Sequence, residues 1–255
     1  MKRLFEKMVI LGLGLVFVVS LGWNDAVAQG KQADLSQSVN RARETGVPAS
    51  LLNDLLTLGF ESGLNKAEMS NLVDLLALAH KEGLPVQPLV SKMEEGMVKR
   101  VPASKIDQAV LRKLHDYRDV RSMLTDFLAR HRQNAAVAPE HLVRLTESLY
   151  SGLSREDMKR VLDRAPAVPV PALTRGVEVF AFLRQVKFEP NLAEEVVIKG
   201  ISANYFSSER RDFARAIATA RRKGMPDREI ASSALTAIAN HNSSDEFCSM
   251  LRVSA

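Results

Sequence analysis

Residues Gly83–Val110 read GLPVQPLVSKMEEGMVKRVPASKIDQAV, and residues Gly46–Val73 read GVPASLLNDLLTLGFESGLNKAEMSNLV. At a constant offset of 37 residues, Gly46 falls on Gly83, Pro48 on Pro85, Leu52 on Leu89 and Leu56 on Met93. Gly59 falls on Gly96, Leu64 on Val101, Met69 on Ile106 and Val73 on Val110. Glycine suits the residue just past a helix end, and proline suits a first helical turn. The match therefore has the spacing of a helix, a short turn and a second helix, and it predicts a repeated helical hairpin. What recurs is Gly, Pro and the apolar positions. The charged residues Lys92, Glu94, Glu95 and Lys99 have no charged counterparts in the earlier copy. The recurring part is thus folding machinery, and any binding specificity of this stretch is expected in those four residues.

Outward from the pair, the same punctuation divides the chain into ten to twelve helices. A first helical run covers Leu35–Glu44. Asn65-Lys66-Ala67-Glu68 has the form of a capping box, and the helix after it is apolar on more than one face, as a central helix would be. A long amphipathic run continues from Ile106 to Leu128, with a break expected near Asp116. Asn134–Pro139 ends that half. Pro139 opens another helix, Gly152-Leu153-Ser154 takes the role of Gly63-Leu64-Asn65, and Gly224-Met225-Pro226 restores the Gly-apolar-Pro signal. Ser207 or Ser208 is expected to cap a helix through Phe213 and Ile217. Three prolines in six residues make 165–171 the clearest linker, because they cannot all be helical. The apparent period drifts to about 50 residues in the second half, and no run reads as a strand. A hairpin cannot bury its own apolar faces, so neighbours must stack. The expected fold is all-α: irregular stacked helical hairpins, α-solenoid-like, or a multi-helix bundle, with no sheet. The expected segments are 46–134 for the clear hairpins and 135–255 for the divergent ones.

The N-terminus has a different character. Lys2, Arg3 and Lys7 precede the apolar run Met8–Leu21, and Ala26-Val27-Ala28 has the small-residue form of a cleavage site. The run is shorter than the ~20 residues a spanning helix needs. Residues 1–28 therefore read as a signal peptide, with the segment 29–45 opening the mature chain. Removing its three basic and two acidic residues leaves 32 basic and 28 acidic ones, a net +4. That balance is mild and mixed in sign, and with export it argues against nucleic acid. The single cysteine, Cys248, excludes an internal disulfide. It reads as a small buried residue, the alternative being an intermolecular disulfide.

Motifs for chemistry are few. The five histidines form no H-E-x-x-H, H-x-H or one-turn pair, so neither a metal nor another cofactor is expected. Each reads as a surface or boundary residue. The phosphate-loop, calcium-loop and G-x-S-x-G patterns are absent. Glu61-Ser62 and Glu147-Ser148 match the Glu-Ser of helical cell-wall hydrolases, which use a Glu general acid. Both pairs lie just before a Gly-Leu turn, which favours a structural reading. The triplet Arg221-Arg222-Lys223 precedes Gly224, where it suits the negative end of a helix dipole.

The pattern Gly-Leu-Pro-x3-Leu-Val-x-Lys-Met-x-Glu-Gly-Met-x-Lys-x-Val-Pro, over Gly83–Pro102, resembles a hairpin repeat of exported bacterial proteins of no assigned activity. The resemblance covers Gly83–Val110 well and Gly46–Val73 in part, and it fades after Pro139. It implies location and architecture only. The functional expectation is a periplasmic or secreted, non-enzymatic helical repeat protein that binds a protein or another envelope component. A peptidoglycan-acting enzyme using Glu61 or Glu147 is the alternative, and peripheral membrane attachment through basic residues is a third reading.

Overall fold

The computed structural model describes residues 34–206 and 210–253. The expected signal peptide, residues 29–33 of the mature segment and the Ser207/Ser208 cap lie outside the described residues. The described chain is all helical: α1 (Leu35–Glu44), α2 (Ala49–Glu61), α3 (Lys66–Lys81), α4 (Gln87–Val98), α5 (Ala103–Arg130), α6 (Pro139–Tyr150), α7 (Arg155–Arg164), α8 (Val170–Gln185), α9 (Pro190–Ser202), α10 (Arg210–Arg222), α11 (Asp227–Ala239) and α12 (Ser244–Met250). No strand occurs among the described residues.

Eleven of the twelve helices end in the same way. The residue after the C-cap has a positive φ, between 50° and 101°. The next N–H then donates back to a carbonyl five residues earlier, at 2.9–3.3 Å. This is the Schellman closure, which satisfies carbonyls left over at a helix end. Glycine fills the positive-φ position at 46, 63, 83, 152 and 224. Arg100, Arg132, Lys187, Asn204, His241 and Arg252 fill it elsewhere. The turns at 46, 63, 83 and 100 are 17, 20 and 17 residues apart, and those at 187, 204, 224 and 241 have the same intervals. The expected drift to a longer period is therefore corrected: the 37-residue interval returns after α7, hidden by non-glycine turns.

The carbonyl that closes each ring belongs mostly to a small residue: Ala42, Gly59, Ala79, Gly96, Ser148, Gly200, Ala220, Ala237 and Cys248, with Leu128 and Leu183 the exceptions. At three of these positions the crowding is explicit. A Cβ on Gly59 would collide with Met69, on Gly96 with Ile106 and on Gly200 with the Phe206 ring. At these three turns the chain comes back tightly enough that glycine fits beneath it without displacing a side chain.

Helices pack on their immediate and next-but-one neighbours. The odd-numbered helices form a continuous column, α1–α3–α5–α7–α9–α11. The even-numbered helices form two runs, α2–α4 and α6–α8–α10–α12. Between them, α4 and α6 are not a packed pair. Helix α5 packs on both α4 and α6 and bridges the gap. At 28 residues it is about 42 Å long. It continues through the point near Asp116 where a break was expected, because Asp116 and Tyr117 are buried. The expected linker shrinks to Ala165–Pro169, since Pro171 lies in the first turn of α8, where its missing N–H costs nothing.

The core changes character along the stack. Between residues 34 and 116 the only aromatic residue is Phe60, which is half exposed. The interior there is Leu52, Leu55, Met69, Leu72, Leu76 and Leu89. From α5 onward, Tyr117, Phe127, Phe180, Phe188, Phe213 and Phe247 are fully buried. Each such side chain contributes about 1.5–3 kcal/mol of apolar burial.

Candidate functional site

The charges of the chain are largely used within it. Arg118 of α5 makes a two-pronged pair with Glu82 at the end of α3, at 2.6 and 2.8 Å. The Arg118 hydrogen bond holds the Glu82 carboxyl below its ordinary range, against the opposing effect of burial. Arg121 donates to the Glu82 carbonyl at 2.5 Å. Arg41–Asp74, Arg130–Asp163, Arg144–Glu178 and Arg160–Glu194 repeat this link between next-but-one helices, at separations of 33 or 34 residues. Glu194, nearly buried, also accepts from Arg164 at 2.5 Å. Several cations cap helix ends on neighbouring elements. Arg221 donates to Val186 O, Lys223 to Arg252 O, and Arg130 to Leu162 O and Asp163 O. A cation at the negative end of a helix is favourable. Much of the basic excess is thus internal bracing.

The densest polar cluster lies where α5 meets the ends of α6 and α7. Asp116 is 4% exposed and accepts from Tyr150 Oη at 2.7 Å and from Arg155. Arg155 also reaches Asp119 at 3.0 Å. Lys113 pairs with Glu147 at 2.7 Å and sits 5.6 Å from the Tyr150 ring centre. Burial and the bond to Asp116 push the Tyr150 hydroxyl up, so it stays a neutral donor. Tyr117 is pushed up as well, by burial first and then by Glu147. A hollow of 320 Å³ beside the cluster is lined by Arg112, Asp116, Tyr150, Ser154 and Arg155. Asp116, Arg155, Lys113 and Glu147 each face an opposite charge there. The arrangement braces α5 to α6 and α7, and it offers no nucleophile–base pair.

Helix α10 floors a larger cleft of 620 Å³ between α8 and α12. Phe182 and Val186 of α8, Ala216 of α10 and Cys248 of α12 supply apolar lining, and Asp212, Arg215, Thr219 and Arg222 supply the polar side. Helix α12 has seven residues against thirteen in α10, and of α12 only Cys248 lines the cleft. Cys248 is 4% exposed and not disulfide-bonded. Burial, and behind it Asp245 and Asp212, push its thiol up, away from the reactive thiolate.

The residues singled out from sequence are spread over the stack. Lys92, Glu95 and Lys99 form one chain along α4, with Lys92–Glu95 at 2.8 Å and Lys99–Glu95 at 2.5 Å. These two hydrogen bonds lower Glu95 to about 2. Glu94 lies beside them on the same helix, half-buried. Glu61 is exposed at the last turn of α2, and Glu147 is half exposed and paired with Lys113. A Glu general acid needs a desolvated setting, which neither position supplies. Of the histidines, His141 departs from the expectation: it is 7% exposed and shares a 3.2 Å hydrogen bond with Thr174. The α10 cleft includes Arg221 and Arg222 of the basic triplet seen in sequence, while Arg215 and the apolar lining carry no motif.

No group of three or more His, Cys, Asp or Glu side chains suited to a metal occurs among the described residues. None of the described helices is long and apolar enough to cross a membrane. No family model, curated protein or solved structure matches the chain.

Proposed function

We propose that the chain is an exported, non-enzymatic helical repeat protein, an interaction or scaffold module of the bacterial envelope. The observation that carries this reading is the linear stacking of helices whose turns recur 37 residues apart at both ends of the chain. Such stacks are extended surfaces rather than enclosed pockets. The basic N-terminus, apolar run and Ala26-Val27-Ala28 support export. The dominant polar clusters are paired internally, which supports a structural role over catalysis. Membrane attachment through Arg221-Arg222-Lys223 is disfavoured, because Arg221 and Lys223 are engaged by backbone carbonyls.

The test is affinity capture from envelope extracts with the mature chain as bait, alongside cell fractionation. A reproducible partner and a periplasmic or secreted location are expected. Capture that enriches nothing would remove the reading. Peptidoglycan cleavage by the mature protein, lost in Glu147→Gln or Glu61→Gln, would replace it with the enzymatic one.

A further inference from the structure

The α10 cleft joins an apolar floor to two outward cations. Arg215 and Arg222 are seven residues apart, two helical turns, so they share one face about 10.5 Å apart along the axis. Arg215 is three-quarters exposed, and its nearest carboxylate contact among the described residues is Asp212 at 4.0 Å. Arg222 is exposed and donates to Thr219 Oγ1 at 3.1 Å. Neither is engaged as Arg118, Arg130 or Arg221 is. Between them the floor is Phe182, Val186, Ala216 and Cys248. The lining also holds Asp212, a turn before Arg215 and only loosely paired with it at 4.0 Å, so the cleft carries two outward cations against one carboxylate. A recessed, largely apolar trough with that net positive rim matches an amphipathic helix whose acidic residues are seven apart and flank apolar residues at the third and fourth positions. A flat anionic bilayer does not enter a recess, and the adjoining Arg221 and Lys223 are held by carbonyls.

We infer that the cleft along α10 is a docking groove for an acidic amphipathic helix of a partner protein, with Arg215 and Arg222 as its electrostatic clamps. This inference rests on the binding-module reading and gives it a place and a partner chemistry. Charge complementarity at the rim sets register and partner choice, and the apolar floor supplies contact area.

The test uses the mature chain and a fluorescent, helix-forming peptide with Glu seven residues apart and Leu at the third and fourth positions between. Saturable binding is expected, weakened roughly tenfold or more by Arg215→Glu with Arg222→Glu. Binding should return when the peptide's Glu residues are replaced by Lys. Ala218→Trp, which fills the trough and leaves both arginines and the Thr219 contact of Arg222, should also abolish binding. Circular dichroism melting of each variant checks that the fold is kept. Equal binding of a scrambled peptide, indifference to charge reversal, or displacement of the peptide by phosphatidylglycerol vesicles but not by excess unlabelled peptide would overturn the inference. If the envelope partner is still captured by the double arginine variant, the groove assignment fails while the binding-module reading stands. If no partner is captured by any form, that reading fails first.

Discussion

The turns at 46–100 and those at 187–241 keep the same 17, 20, 17 rhythm with different chemistry. The first set uses Gly46, Gly63, Gly83 and Arg100. The second uses Lys187, Asn204, Gly224 and His241. The first set encloses an aliphatic interior, whereas Phe188, Phe206 and Phe213 are buried around the second. The comparison teaches that backbone geometry recurs where residue identity does not. The closing hydrogen bond needs a residue that tolerates positive φ and something apolar to tuck beneath the turn; the residue five positions before the bond's donor is usually small, though Leu183 serves at the turn of Lys187. A non-glycine residue in the left-handed region costs about 1–2 kcal/mol, so the second set stands only because its packing overrides that strain.

The largest test of this difference concerns the small residue under the turn. Gly59 faces the flexible end of Met69, whereas Gly200 faces the buried Phe206 ring. Gly200→Ala should destabilise the chain by about 3 kcal/mol and Gly59→Ala by about 1 kcal/mol or less, read by urea denaturation. Equal losses would mean that aromatic and aliphatic packing under the turn are equally compliant. A smaller effect of opposite sign is expected at the turns themselves. Lys187→Gly and His241→Gly should each stabilise by about 1 kcal/mol, while Gly83→Ala, whose Cβ would meet nothing within 4 Å, should destabilise by about as much from backbone strain alone. If the glycine substitutions destabilise, side-chain contacts of Lys187 and His241 outweigh the strain.

The smallest effect concerns pH and the segment between the two sets. Burial lowers His141 below its usual 6.5, with the charges of Arg144 and Arg175 acting the same way and those of Glu140 and Glu178 opposing. The unfolded chain therefore takes up the proton first. The contribution of neutral His141 is intact above 6.5 and is lost as pH falls below it. Denaturation midpoints measured from pH 7.5 to 5 should decline more in the wild type than in His141→Gln. Parallel profiles would assign the decline to other groups.

Much of the local architecture is legible in sequence. Asn65 accepts from the Ala67 and Glu68 N–H groups while Glu68 accepts from the Asn65 N–H, the capping box that its four letters suggest. The expected all-α class and the tight turns at Gly46, Gly83, Gly152 and Gly224 are present. Long-range pairing was not legible. The polar run His115-Asp116-Tyr117-Arg118 resembles a helix break because its partners, Glu82, Tyr150 and Arg155, lie 34–39 residues away. The turns at 187 and 204 are not legible because positive φ at Lys or Asn leaves no glycine mark, whereas Asn242-Ser243-Ser244-Asp245 does mark the helix end at 241 and the cap of α12. The α10 cleft is not legible for another reason: its lining comes from α8, α10 and α12, a relation among three elements rather than a motif in any one.

Helix α7 is the exception to self-termination. It ends at Ala165 in extended backbone before Pro166, and the carbonyls of Leu162 and Asp163 are capped by Arg130 of α5 at 3.3 Å. The other eleven helices carry their stop signal with them and could be moved as cassettes. Pro166 stops α7 locally, but the cap on the carbonyls it leaves is written more than thirty residues upstream. Anyone shortening or grafting this stack can place a seam at most of its turns, but not between Arg130 and Asp163.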